Sequence, residues 1–141
     1  MITKDRLQHM LAVARKAQAL AEKIRPGDKE YAQDMFLLGL LHDLGYEFTN
    51  DPMQHATIGA NILKRARYKY WKAVAQHGDE KATLSDELLI LNKADMGTGP
   101  KGETLTVQKR LADIKKRYGE HSPAYQKAKA LIQKITSASG K

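Results

Sequence analysis

The stretch Met35-Phe36-Leu37-Leu38-Gly39-Leu40-Leu41-His42-Asp43 decides how the rest of the chain is read. Its first seven residues offer no polar face, so a helix through them is expected to be buried on every side at the centre of a domain. His42 and Asp43 close that apolar segment. Polar groups brought into such an interior are costly unless a partner, a water or a metal meets them there. A helical domain whose centre ends on a polar site is the first expectation.

Outward from this segment, apolar residues recur at helical spacing, and β-branched or aromatic runs bounded by turn residues are missing. The chain reads as all-α, with six or seven helices. The first runs from about Thr3 to Ile24 and carries Leu7, Met10, Leu11, Ala14, Ala17 and Ala21 at steps of three or four, ending at Arg25-Pro26-Gly27-Asp28. The second spans about Lys29 to His42. After a loop from Leu44 to Met53, Asp51-Pro52 is expected to cap and open a third helix reaching about Arg67. A short fourth covers about Tyr70 to Gln76, and a fifth, about Ser85 to Met96, stops at Gly97-Thr98-Gly99-Pro100. Two more follow, about Thr106 to Tyr118 and Pro123 to Ile135, the latter capped by Ser122. No repeat or composition shift divides the chain, so residues 1–135 read as one domain and 136–141 as a frayed tail.

The 141 residues suit one domain with a recessed pocket. The absence of cysteine excludes a disulfide framework, thiol nucleophiles, iron–sulfur clusters and Cys-ligated zinc, and fits a reducing compartment. No signal core or bilayer-length apolar run stands out, which reads as a soluble, cytoplasmic protein without a membrane partner. A net charge of +8 favours anionic partners. The run Lys64-Arg65-Ala66-Arg67-Tyr68-Lys69-Tyr70-Trp71-Lys72 has cations and aromatics suited to nucleic acid, yet Tyr68, Trp71 and Val74 also have helix-packing spacing, and packing is the favoured reading. His121, beside Ser122-Pro123, reads as a surface loop residue, and the later Lys/Arg clusters as solvated helix faces.

Four of the five histidines and two aspartates fall at helix ends or on inner helix faces: His9, His42, Asp43, His55, His77 and Asp95. Imidazole and carboxylate together suit iron, manganese, cobalt or zinc better than calcium, with magnesium disfavoured, and six such groups suffice for two ions. Asp43, with two carboxylate oxygens, is the natural bridge. Two cations roughly 3.5–4 Å apart would lower the pKa of a shared water, neutralise phosphoryl oxygens and align the water for in-line attack. The chemistry implied is phosphoester or phosphoanhydride hydrolysis of a small phosphorylated molecule, a nucleotide by preference, with a bridging hydroxide as nucleophile. Lys93, Thr98 and Lys101, close to Asp95 in sequence, are candidate phosphate contacts. No general acid can be picked out.

The order His9, Leu41-His42-Asp43-Leu44-Gly45, His55-Ala56-Thr57-Ile58-Gly59-Ala60, His77 and Ala94-Asp95-Met96 resembles the HD-domain superfamily of metal-dependent phosphohydrolases over about residues 5 to 98. Two histidines between the His-Asp pair and the last Asp are similar to the binuclear branch, which includes the HD-type symmetrical dinucleoside tetraphosphate hydrolases. The resemblance implies a compact HD-domain helical bundle. It further implies one ion held by His9, His42, Asp43 and Asp95 and a second by Asp43, His55 and His77. Many HD proteins carry a lysine near substrate phosphate where this chain has Tyr46, so Tyr46 joins the candidate substrate contacts. Two readings of other classes stand beside this one: a diiron HD-type oxygenase using the same ligands, and a non-catalytic nucleotide- or nucleic-acid-binding module.

Overall fold

The computed structural model describes residues 1–139, which fold into seven α-helices. They are α1 (Lys4–Ile24), α2 (Lys29–Leu41), α3 (His55–Arg65), α4 (Trp71–Gln76), α5 (Asp86–Met96), α6 (Val107–Tyr118) and α7 (Pro123–Ser139), with a single 3-10 turn at Leu44–Glu47 after α2. Among the described residues there is no strand, only an isolated bridge between Thr98 and Thr104, and no helix is long and apolar enough to cross a membrane.

Helix starts follow the side chains that satisfy their free N–H groups. Thr3, Asp28, Ser85 and Thr106 each accept a backbone N–H three residues on, and Ser122 accepts from Tyr125 ahead of α7. α3 departs from expectation at both ends. The Asp51 carboxylate takes the Met53 N–H at 2.8 Å and its carbonyl takes those of Gln54 and His55, so a turn precedes the helix, which begins at His55. At the other end Arg67 has φ 62°, and the Tyr68 N–H returns to the Leu63 carbonyl, a Schellman-type stop that ends α3 at Arg65. α7 continues past Ile135 to Ser139, so residues 136–139 are helical where a frayed tail was expected; residues 140 and 141 lie outside the described part.

α1 packs most extensively on α2. Small residues allow it: a Cβ added to Gly39 would stand 2.7 Å from the Ala14 Cα, so the two backbones meet where neither carries a large side chain. The main core gathers Val13 and Ala17 of α1, Met35 and Leu38 of α2, Leu63 of α3, Val74 of α4 and Ile90 and Leu91 of α5. Burial of α2 is less complete than its composition implies. Met35, Leu38 and Gly39 are buried, whereas Leu37 is exposed and Phe36 and Leu40 are half-buried, the helix being packed chiefly on α1 and α5. A second cluster, Met96, Ala128, Leu131 and Ile135 with Leu111 and Ile114 against it, fastens α6 and α7 to the end of α5. The cations of the 64–72 run lie outside. Tyr68, Tyr70 and Trp71 pack against the main core, with the Lys64 ammonium 4.7 Å from the Trp71 ring centre.

Candidate metal centre

Five elements deliver the six expected ligands to one place. His9 comes from the second turn of α1, His42 from the carboxyl end of α2 and Asp43 from the residue after it. His55 is the first residue of α3, His77 follows the last of α4, and Asp95 lies in the last turn of α5. His9, His42, Asp43 and His77 are buried, His42 completely, and His55 and Asp95 are half-buried.

Each histidine is held by the same device. His9 Nδ1 lies 2.9 Å from the Gly99 carbonyl, His42 Nδ1 2.6 Å from that of Gly39, His55 Nδ1 2.8 Å from that of Pro52, and His77 Nδ1 2.5 Å from that of Val74. A carbonyl only accepts, so each Nδ1 carries the proton and donates, and in the neutral ring the Nε2 lone pair is turned inward. Backbone oxygens thus fix tautomer and ring orientation for all four rings, the arrangement metal-ligating histidines require. The Gly97-Thr98-Gly99-Pro100 segment acquires a role from this geometry. It ends α5 and turns back through the Gly99 N–H to the Glu103 carbonyl, which places the Gly99 oxygen on His9.

The inward atoms divide around Asp43. Its Oδ2 faces His42 Nε2 at 3.3 Å and His9 Nε2 at 3.6 Å, and Asp95 Oδ1 completes that side at 3.0 Å from His9 and 3.4 Å from His42. Its Oδ1 faces His55 Nε2 at 3.2 Å and His77 Nε2 at 3.4 Å. The His55 and His77 Nε2 atoms are 3.1 Å apart, two lone pairs directed at each other, an arrangement that repels unless a proton or cation lies between them. The fully buried His42 Nε2 has no hydrogen-bond partner. An orphaned buried nitrogen and a convergence of acceptors are what a cation-binding pocket presents before its ion. His9, His42 and Asp95, and again His42, Asp43 and His77, have ligand atoms close enough to share one ion.

Electrostatics follow from this crowding. Burial alone would lower the His42 pKa, but the Asp43 and Asp95 carboxylates outweigh it and hold it well above the usual value. Burial would likewise raise Asp43 and Asp95, and the positive charge of His42, first among the surrounding histidines, holds both well below the ordinary carboxylate range. The two carboxylates are ionised at neutral pH, and a proton on His42 answers them. A divalent ion must displace that proton. Metal affinity should therefore rise with pH, by about tenfold per pH unit for the one proton lost while the pH is below the His42 pKa. Calorimetric titration with Mn2+ at pH 6, 7 and 8 checks this, and an affinity flat over the range would contradict it.

Arg6, which the sequence does not single out, touches the centre. Its Nη1 donates to Asp43 Oδ2 at 2.9 Å, and its guanidinium lies 4.0 Å from the Tyr46 ring centre. Tyr46 also stacks on His55 at 4.2 Å with the planes 16° apart. Two groups so close to one ring centre cannot share a face, so Arg6 and His55 sandwich Tyr46 and leave only its edge and hydroxyl to the cavity. Arg6 lies one helical turn before His9, a spacing that places both on one face of α1, and that was the only available signal for it. Asn92, buried on α5, accepts the Gly78 N–H at 3.0 Å and fixes the chain just after His77.

The centre opens into a cavity of about 570 Å³ whose wall includes Arg6, Tyr46, Lys81, Arg110 and Lys127. Lys93, Thr98 and Lys101 do not line it. Lys93 is two residues before Asp95, about 200° around the helix, and so leaves on another side. Thr98 is fully buried and its hydroxyl donates to the Ala94 carbonyl at 2.7 Å, while Lys101 is exposed at the tip of the following loop. Arg110 and Lys127, from the two C-terminal helices, take the wall positions instead.

An all-helical bundle with a histidine–aspartate centre at the meeting point of five elements defines the class: a helical protein built around a candidate metal site. The HD domain family matches residues 6–99, and the chain belongs to that family, whose members are generally metal-dependent phosphohydrolases. No curated protein and no solved structure matches it.

Proposed function

We propose that the protein is a metal-dependent phosphohydrolase that cleaves a phosphoester or phosphoanhydride bond of a small phosphorylated molecule, preferentially a nucleotide, at a two-ion centre bridged by Asp43. The observation that carries this reading is the division of Asp43: one oxygen toward His9, His42 and the neighbouring Asp95, the other toward His55 and His77. His9, His42, Asp95 and Asp43 would hold one ion, and Asp43, His55 and His77 the other. Bound there, divalent iron, manganese, cobalt or zinc supplies Lewis acidity toward the phosphoryl oxygens and acidifies water.

The chain's own residues do the rest. The Nδ1-to-carbonyl bonds keep the four imidazoles from reorienting as charge develops, so little reorganisation is required during the reaction. Among the lining charges outside the centre, Arg6, Lys81, Arg110 and Lys127 outnumber Asp79 and Glu80, which favours a phosphorylated ligand over a neutral one. Tyr46 fixes His55 on one face and Arg6 on the other, so its part is to position these two groups. The packing of Tyr68, Tyr70 and Trp71 against the core supports a small substrate in preference to a stacked polynucleotide.

The test is phosphate release from mono-, tri-, cyclic and dinucleoside phosphates with manganese, iron or cobalt supplied. Release that disappears on chelation and returns on reloading is expected. No release from any of these with any of the three metals would overturn the proposal.

A further inference from the structure

A second cavity, of about 280 Å³, adjoins the first. Arg6, His9, Tyr46, Arg110 and Ala124 line both, so the two spaces meet beside the histidine–aspartate centre. The outer wall of the second is α6, through Asp113, Ile114, Arg117 and Tyr118. This helix lies beyond the residues that match the family, 6–99.

Charge in this space is one-sided. Three guanidinium groups, Arg6, Arg110 and Arg117, face a single lining carboxylate outside the metal centre, Asp113, which pairs with Arg117 at 3.3 Å. Arg6 is engaged with Asp43. Arg110 differs from both. Its Nη1 donates to the Thr98 carbonyl and lies 3.5 Å from that of Asp95, and among the described residues no carboxylate pairs with it. Neutral carbonyls immobilise the group without cancelling its charge. A guanidinium fixed in this way is preorganised for a phosphate and retains nitrogens on its other edge for bidentate contact. It stands where the two cavities join, within one residue's reach of the loop that follows Asp95.

We propose that Arg110, with Arg117 beside it, forms a second anion-binding subsite that takes a phosphate group of the substrate beyond the bond being cut. The substrate class is then a compound with at least two phosphates, such as a nucleoside polyphosphate, in preference to a simple monoester. The half-buried Ile114 and the exposed Tyr118 ring give the far end of the subsite an apolar side on which an organic group can rest. The proposal rests on the phosphohydrolase reading above for its account of which bond is cut, and on the arginines alone for its account of binding.

The experiment compares wild type, Arg110→Gln, Arg110→Lys and Arg117→Gln, each loaded with Mn2+ and checked for equal metal content. Steady-state kinetics on adenosine triphosphate and on p-nitrophenyl phosphate give the ratio of the two kcat/KM values. A charge-assisted contact to phosphate is worth roughly tenfold or more, so that ratio is expected to fall about tenfold in the two Gln variants and less in Arg110→Lys. Arg117 makes no bond to the loop after Asp95, so Arg117→Gln keeps the test sound if Arg110→Gln disturbs that loop. A ratio unchanged within about twofold in both Gln variants would overturn the proposal. Calorimetric binding of the β,γ-methylene analogue of adenosine triphosphate separates the two readings. Binding that weakens about tenfold in the Gln variants while wild type hydrolyses nothing upholds the subsite and removes the hydrolase. Hydrolysis by wild type with binding unchanged in the variants does the reverse.

Discussion

Asp43→Ala is expected to abolish metal-dependent phosphate release while the helical fold survives. Both oxygens of Asp43 are committed, one to each side of the centre, so its removal takes a ligand from both positions at once. A loss of several kcal/mol of charge stabilisation, at about 1.4 kcal/mol per factor of ten, corresponds to a rate reduced on the order of a thousandfold or more. Stability should change much less. Without Asp43 the His42 proton still has the Asp95 carboxylate to answer, and Arg6, whose side chain is partly exposed, can turn to solvent, so no uncompensated charge is trapped. Circular dichroism, metal analysis and phosphate release on one preparation decide the matter. A native spectrum with metal and activity both lost is the expected result, and undiminished turnover would remove Asp43 from the mechanism.

The second large effect concerns packing. Gly45→Ala places a Cβ 1.8 Å from the His55 carbonyl oxygen and 2.7 Å from the His55 carbonyl carbon, both backbone atoms at the start of α3. The opposing residue is also glycine-assisted: a Cβ on Gly59 would stand 2.9 Å from the Gly45 nitrogen. The 3-10 turn after Asp43 and the first turns of α3 are therefore in direct backbone contact, and that contact brings His55 to Asp43. No side chain can yield to relieve the clash, so α3 must move. Overpacking usually costs about 1–3 kcal/mol and occasionally more, and backbone against backbone belongs at or above the top of that range. A fall in stability of about 3 kcal/mol or more is expected in denaturant titration, with weaker metal binding in whatever remains folded. Gly27→Ala is the control. Gly27 also lies in a connection, but nothing stands within 4 Å of its missing Cβ, and only its φ of +83° is penalised, at about 1 kcal/mol. Equal losses at the two positions would mean that close approach is not what Gly45 provides.

These two residues also show what the sequence makes legible. The His42-Asp43 pair is visible because its signal is local, polar residues closing an apolar run, and Gly45 and Gly59 fall within the segments that carry the family likeness. The gathering of the six histidine and aspartate residues is legible because imidazole and carboxylate are distinctive and their chain order is informative. What holds those rings is not legible, since the Gly39, Pro52, Val74 and Gly99 carbonyls that orient them belong to the backbone and leave no mark in residue identity. The substrate side is not legible for a related reason. Nearness to Asp95 in sequence suggested Lys93, Thr98 and Lys101, but helix rotation, a buried hydroxyl bond and an exposed loop tip take these three elsewhere. Arg6 and Arg110 reach the centre across 37 residues to Asp43 and 15 to Asp95, contacts set by how α1 and α6 pack.

If the Asp43 carboxylate serves two cations, the number of ions bound per chain reveals it. Protein stripped with a chelator, freed of the chelator and titrated with Mn2+ should bind two ions per chain, and a variant carrying both His55→Ala and His77→Ala should bind one. Two ions falling to one is expected if Asp43 bridges; no binding, or the same number in both proteins, would show that it does not.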